Sequence, residues 1–178
     1  MKSEGEKMLA GELYDSMDAE VVALRTCARG LCAALNATGD GQAEERRRIL
    51  RELFGAGGES LGMQPPFYCD YGANIELGER VFFNFNCVVL DVCPVRIGSF
   101  TLFGPGVQIL PPLHPFEAHL RGKLECGKPV EIGADVWVGG AAIILAGVQR
   151  RRCRDRRGKR GHARRTGRHV RRPATRAE

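Results

Sequence analysis

A large apolar residue recurs every six positions between residues 77 and 148, and glycine or asparagine often follows it. The recurring residues form three sets: Leu77, Phe83 and Val89; Ile97, Phe103 and Ile109; and Ile132, Val138 and Ile144. A second, usually small side chain stands four positions after each of them, as Val81, Cys87 and Cys93 do in the first set. This period is the signature of a parallel β-helix, in which each hexapeptide is one short strand and one corner. We therefore predict a mainly β fold whose interior holds both sets of side chains, with glycine or asparagine supplying positive φ at the corners.

One coil of the predicted β-helix is much longer than the others. The second set begins at Ile97 and the third at Ile132, which gives 35 residues where three hexapeptides need 18. The 17 additional residues fit between Leu110 and Val130. Because insertions in repeat proteins tend to build the binding face, we predict a catalytic loop over residues 111–130.

The loop carries His114 within the segment PPLHP, whose prolines stiffen the backbone around it. The sequence leaves two interpretations open, a capping or core histidine and a general base, because imidazole can accept a proton from a hydroxyl at neutral pH. The position between prolines favours the general base. A zinc site would need three histidines, and only His114 and His119 precede the basic C-terminal segment, so we expect no metal.

The chain divides into three parts. Residues 1–56 are predicted to be a helical domain, because apolar residues keep helical spacing from Met8 to Met17, from Val21 to Leu35, and again over Ile49 to Phe54. Residues 57–148 are predicted to form the β-helix. Residues 149–178 contain 14 of the 27 Lys and Arg residues and two of the 21 acids, so we predict a disordered Arg-rich tail.

Composition limits the cellular setting. The seven cysteines lack CxxC spacing and an even count, so we predict that they are reduced, with Cys87 and Cys93 filling the interior of the β-helix. The sequence has no apolar run of membrane-spanning length and no charged-then-apolar leader. We therefore expect a cytoplasmic protein.

Several motifs resemble those of the maltose O-acetyltransferases, and much of the pattern is shared with galactoside and nodulation-type acetyltransferases. They are EKMLAGELY (6–14), CDYGANI (69–75), NFNCVVLDVCP (84–94), His114-Pro115 and GKPVEIGADVWVGG (127–140). The resemblance extends over residues 6–148. It implies a left-handed β-helix, a homotrimer with active sites between subunits, and acetyl transfer from acetyl-CoA to a hydroxyl of a maltose- or glucose-like sugar.

The resemblance also implies roles for particular residues. His114 corresponds to the general base, and Asn84, Asp70 and Asp91 to the residues of the acceptor pocket. The backbone N–H of Gly140 corresponds to the donor that binds the thioester oxygen. The resemblance leaves Trp137 as either a packed wall residue or a contact of the pantetheine arm.

The resemblance stops after Val148. The family continues with Ile-Gly and at least one more coil, whereas this chain continues with Arg150-Arg151. Our hypothesis is a reading-frame shift near codon 149, with activity impaired by loss of the last coils. Two alternatives remain open, a non-catalytic β-helix assembly and a protein that binds nucleic acid or another polyanion through the basic tail.

Overall fold

The computed structural model describes residues 1–150, and most of them wind into a left-handed parallel β-helix. Four rungs of three short strands stack along its axis. The strands of the first two rungs are β2 (Gly62–Met63), β3 (Phe67–Cys69), β4 (Ile75–Leu77), β5 (Phe82–Phe83), β6 (Cys87–Val89) and β7 (Val95–Ile97). Those of the last two are β8 (Leu102–Phe103), β9 (Gln108–Leu110), β12 (Val130–Ile132), β13 (Trp137–Val138), β14 (Ile143–Leu145) and β15 (Gln149–Arg150).

Equivalent strands of successive rungs pair in parallel and form three flat sheets. Sheet 1 contains β2, β5, β8 and β13; sheet 2 contains β3, β6, β9 and β14; and sheet 3 contains β4, β7, β12 and β15. We call the corners between sheets 1 and 2 the asparagine edge, which comprises residues 64–66, 84–86, 104–107 and 139–142. We call the corners between sheets 2 and 3 the histidine edge, which comprises residues 70–74, 90–94, 111–129 and 146–148.

The predicted interior is confirmed for the recurring apolar residues. Phe83 pairs in register with Phe103, and their rings stack with centroids 4.6 Å apart. Phe67 extends the aromatic column, with its ring centroid 5.4 Å from that of Phe83. All three side chains are buried. Burial of these aromatic groups contributes to holding the rungs together.

The β-helix begins earlier than the hexapeptide pattern does. The pattern becomes visible at Leu77, but β2 already starts at Gly62. In this first rung Met63 and Phe67 occupy the positions that Phe83 and Cys87 occupy in the second rung. The Gly- and Pro-rich composition of residues 57–66 hides this rung in the sequence.

The glycines at the corners between sheets 3 and 1 serve close packing instead of positive φ, contrary to our expectation. A Cβ on Gly98 would lie 2.4 Å from the backbone nitrogen of Ala134 in the next rung. The positive φ angles at these corners belong to Arg80, Phe100 and Asp135, at 52°, 60° and 57°. Gly98 therefore lies where one rung closely approaches the next.

Cys93 was also expected inside the β-helix, and the structure places it elsewhere. Because the first full coil has two residues more than three hexapeptides, the wider corner carries Cys93 out of the interior, and Val95 points inward in its place. The Cys93 thiol donates to the carbonyl oxygen of Met8 over 3.4 Å. It belongs to a second buried cluster with Met8, Tyr14, Val21, Tyr71 and Val92.

The N-terminal region is helical, with one exception to the predicted pattern. Its helices are α1 (Glu4–Leu9), α2 (Ala19–Asn36) and α3 (Ala43–Leu53), followed by a 3-10 helix at Gly58–Ser60. The predicted helix through Met17 is interrupted, because Gly11 adopts a φ of 74° and residues Tyr14–Asp15 form strand β1.

The long loop packs against this N-terminal region. It contains β10 (Pro112–Leu113), a short helix α4 (Ala118–Arg121) and β11 (Leu124–Gly127). Strand β11 pairs antiparallel with β10 on one side and with β1 on the other. The Tyr14 hydroxyl donates to Glu125 Oε2 over 2.9 Å. The predicted catalytic loop is thus a structured flap anchored to the N-terminus.

No helix within residues 1–150 is long and apolar enough to cross a membrane. The predicted disorder of the Arg-rich tail, and its proposed binding to polyanions, concern residues that lie almost entirely outside the described range.

Candidate active site

His114 stands on the histidine edge, directly after β10. Its side chain is exposed, and within residues 1–150 it makes no hydrogen bond or ion pair. The turn that follows is fixed by Arg121, whose Nε donates to the carbonyl oxygen of Pro115 over 3.1 Å. These features contradict the capping or core interpretation, because the ring is neither buried nor bonded. The imidazole is exposed on a loop that β10–β11 pairing and the Arg121 hydrogen bond hold in place.

Asp91 lies at the centre of the same edge and organises the corner of the preceding rung, residues 70–74. One carboxylate oxygen accepts from the backbone N–H groups of Asp70 and Tyr71, over 3.1 and 2.9 Å. The other accepts from the backbone N–H of Asn74 over 3.3 Å, and the Asn74 amide donates to the Asp91 carbonyl oxygen over 2.7 Å. The side chain is 0 % exposed, so in the single chain Asp91 holds the corner that presents Asp70.

Burial raises the pKa of the Asp91 carboxyl to about 6, although the backbone N–H of Tyr71 acts in the opposite direction. Burial also raises the pKa of the Asp70 carboxyl above its ordinary value, and the nearby Arg29 guanidinium opposes that shift. The two carboxyl groups therefore create a partly desolvated acidic corner near the flap.

Asp70 opens into a cavity between α2 and sheet 2. Arg29 Nη2 lies 3.4 Å from Asp70 Oδ1, and the Asp70 side chain remains 16 % exposed. The cavity measures about 370 Å³ and is lined by Arg29, Cys32, Ala33, Asn36, Tyr68, Cys69, Asp70 and Leu90. Asp70 is thus placed to contact a small polar molecule, which Asp91 is not.

Asn84, Gly140 and Trp137 lie on or beside the asparagine edge. The Asn84 side-chain oxygen accepts from the backbone N–H of Phe85 over 2.8 Å. Gly140 is exposed, and a Cβ there would lie 3.2 Å from the carbonyl oxygen of Pro105. Trp137 projects from the outer face of sheet 1 beside Leu102 and is 76 % exposed. In the single chain its indole ring is a free surface and not a packed wall.

The predicted site residues therefore fall into two groups that one chain does not bring together. Asp70, Asp91 and His114 are on the histidine edge, and Asn84 and Gly140 are on the asparagine edge. Sheet 2 separates the edges, and strand β6 alone spans about 10 Å at 3.3 Å per residue. One chain therefore presents the two groups on opposite sides of sheet 2.

Two residues of this region carry no functional signal in the sequence. The sequence pattern places Arg29 only in a helix and Glu125 only in the loop. Both make contacts across long sequence separations, Arg29 with Asp70 and Glu125 with Tyr14. Helical spacing could have indicated Arg29, because it lies on the same face of α2 as the buried Cys32.

Within residues 1–150 no group of three or more His, Cys, Asp and Glu side chains is arranged to hold a metal ion.

Comparisons with known proteins identify the family of the chain. Residues 7–58 match the maltose acetyltransferase hexapeptide capping motif. Nodulation protein L of Rhizobium meliloti (strain 1021) is 45 % identical over 148 residues, which cover 83 % of this chain and 81 % of that protein. The chain belongs to the maltose acetyltransferase family of hexapeptide-repeat acetyltransferases. The resemblance read from the motifs is thereby confirmed.

Solved structures of the family share the fold. A maltose O-acetyltransferase from Clostridium difficile 630 superposes with a TM-score of 0.78 and 41 % identity, covering 80 % of this chain and 76 % of that one. A hexapeptide-repeat acetyltransferase from Vibrio cholerae O1 biovar eltor, solved with acetyl coenzyme A, superposes with a TM-score of 0.71 and 39 % identity, covering 80 % and 77 %. The left-handed β-helix is therefore the fold of this family.

Proposed function

We propose that this protein transfers an acetyl group from acetyl-CoA to a hydroxyl of a sugar, with His114 as the general base. The observation that carries the proposal is the exposed imidazole of His114 on a structured loop, with no hydrogen bond or ion pair to it within residues 1–150. In this reaction the imidazole removes the proton of the acceptor hydroxyl, whose oxygen attacks the thioester carbonyl carbon. The C–S bond then breaks, the imidazolium returns the proton to the departing sulfur, and coenzyme A leaves as the thiol.

The asparagine edge has features that suit acetyl-CoA, the acetyl donor. A thioester oxygen gains negative charge during the attack, and we assign the backbone N–H of Gly140 as the donor that binds it. Gly140 has no side chain to keep the thioester away, and the exposed Trp137 offers a flat apolar surface for a pantetheine arm. The Vibrio cholerae relative, crystallised with acetyl coenzyme A, supports this choice of donor.

The histidine edge has features that suit the sugar that accepts the acetyl group. Asp70, with its partly exposed carboxylate, can accept hydrogen bonds from sugar hydroxyls, while the buried Asp91 keeps the Asp70 corner in place. Asn84 would contribute a third polar group from the opposite edge. The maltose O-acetyltransferase among the structural relatives supports a maltose- or glucose-like acceptor.

Because the two groups of residues lie on different edges, the proposed active unit is an assembly, and a cyclic homotrimer is its simplest form. In a heterologous ring each chain offers its histidine edge to the asparagine edge of the next chain. Three equivalent sites result. Reduced thiols throughout residues 1–150 fit the cytoplasmic location that we propose for such an enzyme.

The test is release of coenzyme A from acetyl-CoA in the presence of maltose, glucose or a galactoside. His114→Ala should lower kcat by about 10²–10⁴-fold, the range of general base catalysis, with little change in the KM for acetyl-CoA. His119→Ala is the matched control, because His119 is an exposed histidine of the same loop. Turnover by His114→Ala equal to that of the His119→Ala control would contradict the assignment.

A further inference from the structure

A pair of buried thiols connects the helical domain to the β-helix. Cys32 of α2 and Cys69 of β3 are 37 positions apart in sequence, yet their sulfur atoms are 3.5 Å apart. They are only 4 % and 5 % exposed. Within residues 1–150 no other two sulfur atoms are in hydrogen-bonding contact. The buried Cys87 and Cys93 thiols instead meet carbonyl oxygens, each over 3.4 Å.

The thiol pair occupies the middle of a regular seam between α2 and the chain around β3. On one side of it, the Asn36 side chain bonds both backbone groups of Phe67, over 2.8 and 3.0 Å. On the other side, Arg29 Nη2 donates to Asp70 Oδ1 over 3.4 Å, and Arg25 Nη1 donates to the Tyr71 hydroxyl over 3.3 Å. These contacts hold the two sulfur atoms against each other, which leaves a shortening of about 1.5 Å to reach the 2.05 Å of a disulfide.

The pair is also reachable, because both cysteines line the 370 Å³ cavity that opens beside Asp70. The contact with Cys69 lowers the pKa of the Cys32 thiol, and the contact with Cys32 raises the pKa of the Cys69 thiol. Cys32 is therefore the first of the two to react as a thiolate, because the thiolate is the nucleophilic form.

We propose that Cys32 and Cys69 form a redox modification site, in which a small peroxide oxidises the two thiols to a disulfide that clamps α2 to β3. In the first step the Cys32 sulfur attacks the peroxide, an S–O bond forms, the O–O bond breaks, and water leaves. In the second step the Cys69 sulfur attacks the sulfenic sulfur of Cys32, the S–S bond forms, the S–O bond breaks, and the oxygen leaves as a second water with the Cys69 proton. Overall, two thiols are oxidised and one hydrogen peroxide is reduced to two waters.

The disulfide also affects the acceptor pocket, a consequence that rests on the proposed function. Asp70 directly follows Cys69, and Arg29 lies one helical turn before Cys32. Drawing the two sulfur atoms together therefore shifts the Arg29–Asp70 pair at the mouth of the cavity. We expect the acceptor KM to change by roughly tenfold, because displacements of about 1 Å near a reacting group have effects of that size or larger.

The experiment uses the full chain with Cys27→Ser and Cys153→Ser, which removes one exposed cysteine and one outside the described residues and leaves five. The protein is exposed to hydrogen peroxide, alkylated and digested without reduction. We expect a peptide that links Cys32 to Cys69, its loss after dithiothreitol, and a melting temperature that is higher before reduction than after it.

The same treatment of Cys69→Ser is the control, since Cys32 is then oxidised without a partner and forms no cross-link. Alkylation of both Cys32 and Cys69 in the peroxide-treated protein would overturn the site itself. A cross-linked peptide with an unchanged acceptor KM would overturn only the coupling to the pocket. These results are distinguishable from failure of the proposed function, because the cross-link is detected by mass and needs no turnover.

Discussion

Gly98→Ala tests whether the glycines of the hexapeptide pattern are required for contact between rungs. The added methyl carbon would lie 2.4 Å from the Ala134 nitrogen and 2.6 Å from the carbonyl carbon of Gly133. Ordinary contacts begin near 3.4 Å, so the two rungs would have to separate by about 1 Å at this corner. Backbone atoms on both sides cannot move as a flexible side chain would, and forced insertion of a methyl group costs about 1–3 kcal/mol or more. We expect a loss of about 3 kcal/mol.

Thermal unfolding followed by circular dichroism measures this loss. For a chain of this size, about 3 kcal/mol corresponds to a fall of roughly 6–12 °C in Tm. Gly139→Ala is the matched control, because a Cβ at Gly139 has no neighbour within 4 Å and its φ is not positive. A Gly98→Ala protein that melts within about 2 °C of the wild type would refute the reasoning, as would an equal fall for both variants.

Three further predictions concern the core and the two carboxylates. Phe83→Ala should lower the free energy of unfolding by about 3–5 kcal/mol in urea denaturation, whereas Phe116→Ala, at a side chain 95 % exposed, should have little effect. The pKa of Asp91 rises from 3.8 to about 6 on folding. The stability linked to its protonation is therefore complete below pH 4 and lost as the pH rises through 6. Between pH 4 and 7 the free energy of unfolding of the wild type, measured in urea, should fall by on the order of 3 kcal/mol relative to that of Asp91→Asn. A difference between the two proteins that stays constant with pH would contradict the raised pKa. Asp70→Asn should raise the acceptor KM by roughly tenfold and leave the free energy of unfolding nearly unchanged. A large fall in the free energy of unfolding with an unchanged KM would instead assign Asp70 a structural role.

The fold could be predicted because a hexapeptide period has few physical solutions. Ile97, Phe103 and Ile109 all point into the β-helix, as a six-residue period requires. The limits of the prediction arise where coil length departs from that period. The two additional residues of the first coil move Cys93 out of the interior, and the pattern cannot show whether Gly98 serves a turn or a close approach.

The candidate site was predictable only as a set of residues. The motifs identified His114, Asp70 and Asn84, but their placement on two edges became visible only once β6 was located between them. The link between the loop and the N-terminus depends on the pairing of Tyr14 with Glu125. Contacts between residues so far apart in sequence leave no trace in local spacing.

The central claim, that the active site joins the histidine edge of one chain to the asparagine edge of another, is tested most directly by mixing two inactive variants. His114→Ala and Asn84→Ala chains would each be assayed alone for sugar-dependent release of coenzyme A, then unfolded together, refolded and assayed again. Sites shared between chains predict recovery of about a quarter of wild-type activity in an equal mixture, because one pairing in four joins an intact His114 to an intact Asn84. Activity that stays at the level of the separate variants, in a mixture shown to contain mixed assemblies, would contradict the claim.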